Sequence, residues 1–180
     1  INGLNVLAFD GGDVLSCAAV DLSAADAVTV WVVGTVSGAG DRIFAEHSPN
    51  FNSNVGWIIY SASTRQVVYG HHRTAVSSYA TTATISTTAK LMVGVGDMTL
   101  ATSEALAYVD NTLSGSTVLN GNNATPFASQ TLFIGARLSG VTAVAGLIGN
   151  IAEIGVVGRV ITSDERAALR TYSQTKWGTA

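Results

Sequence analysis

Apolar and polar residues alternate with a period of two along most of the chain. In residues 27–36, AVTVWVVGTV, Val28 and Val30 fall on one face and Thr29 and Trp31 on the other. This alternation predicts a β-strand, because successive side chains of a strand point to opposite sides of its sheet. The other segments with strand character are 4–9, 14–17, 41–47, 56–61, 65–73, 82–87, 90–97, 104–111, 130–137 and 146–158. Many short strands joined by loops of Gly, Asn, Ser and Asp predict an antiparallel sandwich or barrel.

The end of the chain has a different pattern, which predicts a single helix. Thr162 stands three residues before Glu165, the spacing of a capping box at a helix start. Lys176 lies where the helix dipole favours a cation, and Gly178 is a natural stop. We therefore expect one amphipathic helix of about 12 to 14 residues. It should pack back on the sandwich and dock through Trp177.

Composition narrows the class of protein. A length of 180 residues is most simply one domain, spanning 1–180. Charged residues make up 12% of the chain and the net charge is −3, so there is no basic cluster for nucleic acid. No apolar run reaches about 18 residues, which argues against a membrane span. The single cysteine, Cys17, is predicted to be a small apolar core residue.

Four segments, taken in order, resemble a known family. They are LAFDGGDVL (7–15), AVTVWVVGTV (27–36), LFIGAR (132–137) and GLIGNIAEIGVVGRVITSDERAALRTYSQTKWG (146–178). This order is similar to the laminin-G-like branch of the concanavalin A-like lectin/glucanase fold, over about residues 4–178. The bacterial and phage structural-protein versions are the most similar, since they end in a strand G-x-I-x-E followed by a helix closing with KWG or KYG.

The resemblance implies an all-β jelly roll, in which two antiparallel sheets stack as a sandwich and one helix follows at the C-terminal end. Domains of this kind are mostly carbohydrate- or protein-binding modules of phage tail and head fibres, adhesins and glycosidases. Two segments depart from the family pattern: VGVGDMT (93–99) stands where YDG is expected, and Asp110-Asn111 replaces an Asn-Gly turn.

The glutamates argue against catalysis. Glucanases of this fold carry Glu-x-Asp-x-Glu on one strand, so that two carboxylates flank the glycosidic bond. The four glutamates here, none with an acid two residues away, are Glu46, Glu104, Glu153 and Glu165. Glu153 is therefore interpreted as a structural acid that pairs with an arginine such as Arg137 or Arg159, or accepts backbone N–H bonds from a loop. The alternation places its side chain on one strand face with Ile151, Gly155 and Val157. We predict no catalytic residue and no enzyme activity, and the alternative is a glycan-cleaving enzyme whose acids come from separate strands.

No cofactor is predicted with a defined site, and calcium is the one left open. The chain has no cysteine cluster and no His-Glu-x-x-His helix for zinc. A calcium ion needs several oxygen ligands, and some could come from the loops 10–13, 50–54 and 120–123. Asn-rich loops of this kind are more often turns than ligand sets.

A sugar site is predicted on the strand VVYGHHR (67–73). The alternation places Tyr69, His71 and Arg73 on one face with Val67, and so polar a face suits a solvated sheet. The residues predicted to bind a ligand come from this strand, from a neighbouring strand and from a rim loop. They are Tyr60, Tyr69, His71, Arg73, Asn52 and Asn54. The alternative interpretation is a polar outer face that binds no ligand or contacts another protein.

Together these observations predict a non-catalytic recognition domain of a phage virion, in a tail or head fibre, or of a bacterial surface protein. We expect it at the virion surface or outside the cell, with host-surface carbohydrate or other virion subunits as partners. Nucleic acid and membranes are not expected partners. A structural module that mediates protein contacts, including a homo-oligomer, is the alternative.

Overall fold

A computed structural model of the protein describes residues 1–49, 55–72, 77–100, 104–117, 126–139 and 142–179, and these residues form fourteen strands and one helix. The strands are β1 Leu7–Asp10, β2 Leu15–Asp21, β3 Ala27–Val36, β4 Arg42–His47, β5 Gly56–Ser61, β6 Gln66–His72, β7 Ser77–Thr84, β8 Lys90–Asp97, β9 Ala105–Val109, β10 Thr112–Thr117, β11 Ser129–Ile134, β12 Arg137–Ser139, β13 Thr142–Val144 and β14 Ile148–Val157. The helix α1 spans Ser163–Trp177.

Two six-stranded antiparallel sheets make the sandwich. Sheet 1 has the order β1-β14-β3-β8-β9-β10, and sheet 2 has the order β2-β11-β4-β5-β6-β7. Strands β12 and β13 pair as a separate two-stranded hairpin. The predicted fold class, an antiparallel jelly-roll sandwich with one C-terminal helix, is confirmed.

The main core lies between the two sheets. The alternation predicted for β3 is confirmed, because Val28 and Val30 are buried in this core while Trp31 packs on the outer side of sheet 1. Phe44 and Ile59 meet them from sheet 2. Burying each of these large side chains contributes roughly 1.5 to 3 kcal/mol to folding.

Two glycines of β8 give the core an unusual shape. A Cβ atom at Gly94 would overlap the ring of Tyr69, and one at Gly96 would overlap the Tyr69 hydroxyl. Tyr69 comes from β6 on the opposite sheet, so the missing side chains make room for a tyrosine inside the sandwich. This fit across the sandwich gives a physical reason for the two glycines of the segment VGVGDMT (93–99).

The structure corrects several predicted boundaries. The segment 130–137 is not one strand, because the chain turns at Gly135 with φ +87 and β12 begins after it. Strand β7 covers Ser77–Thr84 rather than 82–87. The loop 10–13 joins β1 of sheet 1 to β2 of sheet 2.

The prediction for Cys17 is wrong. Cys17 is exposed, because it lies on β2, which among the described strands is an edge strand paired with β11 and has mostly exposed side chains. The alternation of apolar residues in this segment cannot distinguish an edge strand from a central one.

The helix confirms its predicted caps. The Glu165 amide donates to Thr162 Oγ1 at 3.1 Å, and the Thr162 amide donates to Glu165 Oε2 at 2.8 Å. At the other end Gly178 adopts the left-handed conformation, with φ 66, and its amide donates to the Gln174 carbonyl at 3.0 Å. The helix has 15 residues, slightly more than predicted.

Glu153 holds this helix against sheet 1. Its Oε2 atom accepts hydrogen bonds from Tyr172 Oη at 2.8 Å, Trp177 Nε1 at 3.0 Å and Lys176 Nζ at 3.2 Å. Burial raises the pKa of the Glu153 carboxyl, but these donors and the Lys176 charge outweigh it and hold the pKa below its ordinary value. The expectation that the Glu153 carboxylate is paired is confirmed by these contacts.

The partners predicted for Glu153 are wrong. Arg137 pairs with Glu46, and Arg159 pairs with Glu165. Ile151 had been predicted to share a strand face with Glu153. A bulge in β14 instead turns Ile151 into the core between the two sheets. A bulge adds one residue to a strand and so reverses the alternation beyond it.

Candidate functional site

The predicted sugar platform on β6 is not on a solvated face. Tyr69 and His71 are both 0% exposed and lie between the two sheets, where burial holds the pKa of Tyr69 well above its ordinary value. The His71 ring meets Phe127 edge-on, with centroids 6.1 Å apart. Trp57 is buried beside them, stacked on His47 at 5.6 Å.

The prediction failed because it assigned the wrong face of sheet 2 to the solvent. Alternation correctly places Tyr69 and His71 on one face, and the polar character of that face suggested water. The glycines of β8 instead accept both side chains into the core. The remaining predicted residues of this platform, Arg73, Asn52 and Asn54, lie outside the described residues.

Tyr60 lies on the opposite, outer face of sheet 2, where it lines an open pocket. The pocket has a volume of ≈ 110 Å³. Its lining residues come from β4 and the residue before it, from β5 and β7, and from the β12–β13 hairpin and the residue after it: Asp41, Ile43, Ile58, Tyr60, Tyr79, Arg137 and Ala145.

The strand register explains why a depression forms here. Gly70 of β6 lies between Ile58 of β5 and Tyr79 of β7 in one row across sheet 2. Since Gly70 has no side chain, the surface dips at the middle of this row, and the Tyr79 ring forms one edge of the dip. Tyr79 is 37% exposed, so its ring offers surface to a ligand.

The base of the β12–β13 hairpin closes one side of the pocket. The Ile43 amide donates to the Ala145 carbonyl at 2.9 Å, and the Gly135 amide donates to the Phe44 carbonyl at 3.0 Å. Ala145 has a positive φ of 52, which lets the chain leave β13 and return to the sheet. These bonds fix the hairpin over β4 and bring Arg137 to the pocket.

A buried ion pair orients Arg137. Its Nε atom donates to Glu46 Oε2 at 3.0 Å and its Nη2 atom to Glu46 Oε1 at 3.4 Å. The Glu46 side chain is 0% exposed and that of Arg137 26%. This fork geometry restrains the guanidinium and leaves the Nη1 amine outside the pair, available to another acceptor.

The Tyr60 hydroxyl remains protonated at neutral pH. Burial raises its pKa, the charge of Asp41 and the neighbouring Tyr79 raise it further, and Arg137 lowers it. A protonated phenol can both donate and accept a hydrogen bond. The pocket therefore combines two aromatic rings with a phenol, a guanidinium and a carboxylate, the mixture of apolar and oriented polar groups found in small-molecule sites.

Only Tyr60 of these polar pocket residues had been singled out as a ligand residue from the sequence. Arg137 reaches the site because it pairs with Glu46, 91 residues away in sequence. No local pattern reports such a contact. The sequence offered one signal for this site, Gly70, since a glycine within a strand often marks a place where another group approaches closely.

Of the three loops considered for calcium, the structure describes the turn 10–13. In the turn 10–13, Asp10 Oδ1 accepts from the Gly12 amide at 3.0 Å, a turn contact within the loop. The loops 50–54 and 120–123 lie outside the described residues. The described residues contain no group of three or more His, Cys, Asp and Glu side chains placed to hold a metal ion. Within the same residues, no helix is long and apolar enough to cross a membrane.

Sequence comparisons with known proteins find no relative. No protein-family model matches the chain, and no curated protein matches it either.

Solved structures are similar in fold. The heptameric SAP-like pentraxin from Limulus polyphemus superposes with a TM-score of 0.70 at 13% identity, over 91% of this chain and 80% of that one. The CBM40 domain of the Ruminococcus gnavus IT-sialidase, bound to α2,3-sialyllactose, gives 0.63 at 11% identity over 87% and 98%. The binding domain of botulinum neurotoxin serotype G gives 0.62 at 14% identity over 98% and 50%. The fold is thus that of lectin-like jelly-roll domains.

Proposed function

We propose that this protein is a non-catalytic carbohydrate-recognition domain whose site is the pocket on sheet 2. The observation that carries the proposal is the pair of tyrosines, Tyr60 and Tyr79, beside Arg137 and Asp41 in one open depression. The fold similarity to a CBM40 domain bound to sialyllactose supports the same class of ligand.

The chemistry of the pocket matches that of a sugar. A pyranose ring has an apolar face of C–H groups, which packs on an aromatic ring, and an edge of hydroxyls. The Asp41 carboxylate accepts hydrogen bonds from hydroxyls, and the Arg137 Nη1 amine donates to them. Tyr79 supplies the exposed ring and Tyr60 supplies both a ring and a phenol.

The setting of the domain belongs to the same proposal. We infer display on a phage virion or on a bacterial surface, with host-surface carbohydrate as the ligand. The low charged fraction of 12% and the sequence resemblance to phage and bacterial structural proteins support it. Mass spectrometry of purified virions and of surface-shaved cells from the source would detect the protein in one of these fractions.

Removing either pocket tyrosine tests the site. We expect Tyr60→Ala and Tyr79→Ala each to weaken glycan binding by about tenfold, or ~1.4 kcal/mol, because an interface aromatic typically contributes this much. A glycan array identifies the ligand, and calorimetry gives the affinities of the variants.

Tyr172→Ala is the matched control, since Tyr172 is an exposed tyrosine on α1 at the opposite side of the sandwich. It should retain wild-type affinity. Unchanged binding by both pocket variants would exclude this site. Absence of glycan binding, together with a stable oligomer in light scattering, would favour the structural module instead.

A further inference from the structure

A second, open cleft lies at one end of the sandwich, between the loop that follows β3 and the turn that joins β5 to β6. Its volume is ≈ 520 Å³, and its lining residues are Gly38, Ala39, Ser63, Thr64 and Arg65. This described lining carries one guanidinium and two hydroxyl groups and no carboxylate. Within the described part of the chain, neither the Arg65 guanidinium nor the Ser63 hydroxyl has a hydrogen-bond or ion-pair partner. The cleft therefore presents a positive charge and a hydrogen-bond donor that the fold does not use.

The backbone holds Arg65 in a conformation that favours glycine. Its φ of 59 lies in the left-handed region, where the Cβ atom of an L-residue crowds the following carbonyl group. The Arg65 amide donates to the Ala62 carbonyl at 2.8 Å, and the Arg65 carbonyl accepts from the Ile85 amide at 2.9 Å. These two bonds fix the residue from both sides. Unfavourable conformations persist where the surrounding structure determines them in this way, and they cluster at functional sites.

The opposite wall of the cleft is fixed by Arg42. Its Nη2 atom donates to the Ala39 carbonyl at 2.8 Å, and its Nη1 atom donates to the Gly146 carbonyl at 3.0 Å. Both acceptors are neutral, so a second positive charge lies against this loop. The acid beside it, Asp41, is exposed, and within the described residues it forms no ion pair with Arg42 or Arg65. The two walls are thus preformed and both carry a guanidinium.

The cleft adjoins the pocket around Tyr60 and Tyr79. Ala39 lines the cleft and Asp41 lines the pocket, and two successive residues span at most about 7 Å. On the other wall, Ser63 of the cleft follows Tyr60 of the pocket by three residues. A glycan with one sugar in the pocket can therefore place a neighbouring sugar at the cleft.

We propose that the cleft is a second subsite, which binds the carboxylate or sulfate group of an acidic glycan whose neighbouring sugar occupies the pocket. This inference rests on the proposed carbohydrate-binding function and adds an acidic substituent to its ligand. The planar guanidinium of Arg65 matches the paired oxygens of either anion, and the Ser63 hydroxyl donates to a further oxygen. Because the cleft is open to solvent, the ionic contact adds a modest and salt-dependent increment to binding.

Trisaccharides that share a backbone and differ in charge test the inference. On the glycan array, each neutral trisaccharide is compared with its uronate and sulfated counterparts; galactotriose, trigalacturonic acid and sulfated galactotriose form one such set. Calorimetry on a set that binds should show a three- to fivefold higher affinity for an acidic member, about the strength of an exposed ion pair. The preference should shrink at high salt. The uronate and the sulfate arms distinguish the two kinds of anion.

The variant Arg65→Asn removes the guanidinium but suits the turn, because asparagine tolerates a positive φ. It should lower the affinity for the acidic trisaccharide to that for the neutral one. Its Tm should stay equal or rise, since the crowding at this residue is relieved. Arg159→Gln is the matched control, because it removes an exposed arginine beyond the end of β14 that pairs with the start of β3, whereas the cleft follows the end of β3. It should keep the full preference.

The outcomes separate the inference from the proposed function. Equal binding of neutral and acidic trisaccharides, or a preference that survives Arg65→Asn, would overturn the inference and leave carbohydrate recognition in place. A clear fall in Tm with Arg65→Asn would show that the side chain supports the fold, and would also overturn the inference. If no glycan on the array binds, neutral or acidic, the proposed function fails and the inference fails with it.

Discussion

The burial of Tyr69 depends on two residues that lack side chains. Gly94 and Gly96 are on β8 of sheet 1, while Tyr69 is on β6 of sheet 2, so the fit is made across the sandwich. The alternation of β6 correctly grouped Tyr69 with His71, but it cannot tell which face is buried when both faces carry mixed residues. The decisive contact is distant in sequence, and for this reason the solvent-facing side was predicted wrongly.

We expect Gly94→Ala to destabilise the protein by roughly 1 to 3 kcal/mol, because the added methyl group overlaps the Tyr69 ring in a packed core. In the background of Tyr69→Ala the same change should cost much less, since the ring is gone. Urea unfolding of the four proteins measures this coupling.

Gly12→Ala is the control for this cycle, because a Cβ atom at Gly12 meets only the Asp10 carboxylate at 3.5 Å, an ordinary contact. It should change the free energy of unfolding little. Equal costs of Gly94→Ala with and without Tyr69 would contradict the proposed fit.

Secondary-structure elements differ in how well the sequence predicted them. Helix α1 was predicted with its caps, because Thr162, Glu165 and Gly178 signal its ends within a few residues. Strands β12 and β13 were missed, since each has three residues and they form a separate two-stranded pair. Short elements carry too little periodicity to detect, yet this hairpin brings Arg137 to the pocket.

The start of α1 should titrate at acid pH. The pKa of Glu165 is lowered from 4.5 to about 2 by the hydrogen bond from Arg159, the Thr162 amide and the Arg159 charge. A carboxyl with a lowered folded-state pKa stabilises the protein above its unfolded value of 4.5. That stability is lost as the pH falls from 4.5 toward about 2.

The variant Glu165→Gln should remove this part of the pH dependence and should converge with the wild type at the acid end. The free energy of urea unfolding, measured across the same pH range, checks the prediction. Arg159→Gln should have a similar but smaller effect, since the Thr162 amide still binds the carboxylate. A difference between wild type and Glu165→Gln that does not vary with pH would refute the assignment.

At the scale of the whole molecule, the two outer faces of the sandwich differ in what covers them. Helix α1 covers sheet 1, with Trp177 packed against Leu91 and Val93 of β8 in a second core cluster. Sheet 2 keeps its outer face open at the pocket around Tyr60 and Tyr79. The amphipathic pattern of the C-terminal segment predicted the packing of the helix. The pocket depends on strand register, and of its lining residues only Tyr60 was predicted from the sequence to bind a ligand.

Because the helix and the pocket lie on opposite faces of the sandwich, we predict that substitutions at the helix lower stability without changing ligand affinity. Trp177→Ala should cost about 3 to 5 kcal/mol, as for other buried aromatic residues, and also removes a donor to Glu153. Trp177→Phe should cost less, because it keeps most of the buried ring. Thermal unfolding measures both, and the glycan affinity of the folded variants should match the wild type, since the helix lies on the far side of the sandwich. A parallel loss of affinity would show that the two faces are coupled.

The pocket is small for a ligand site. Typical ligand pockets measure about 300 to 1,000 Å³, whereas this one measures ≈ 110 Å³. A depression of this size covers a single sugar unit and buries little of it, so one copy of the domain should hold its ligand weakly and briefly. Firm attachment would then come from many copies meeting a repeating polysaccharide together, which can raise the overall strength by about 10² to 10⁴ without any new contact. Such a multivalent assembly releases and rebinds one site at a time, so it can move across a glycan-coated surface without dissociating from it.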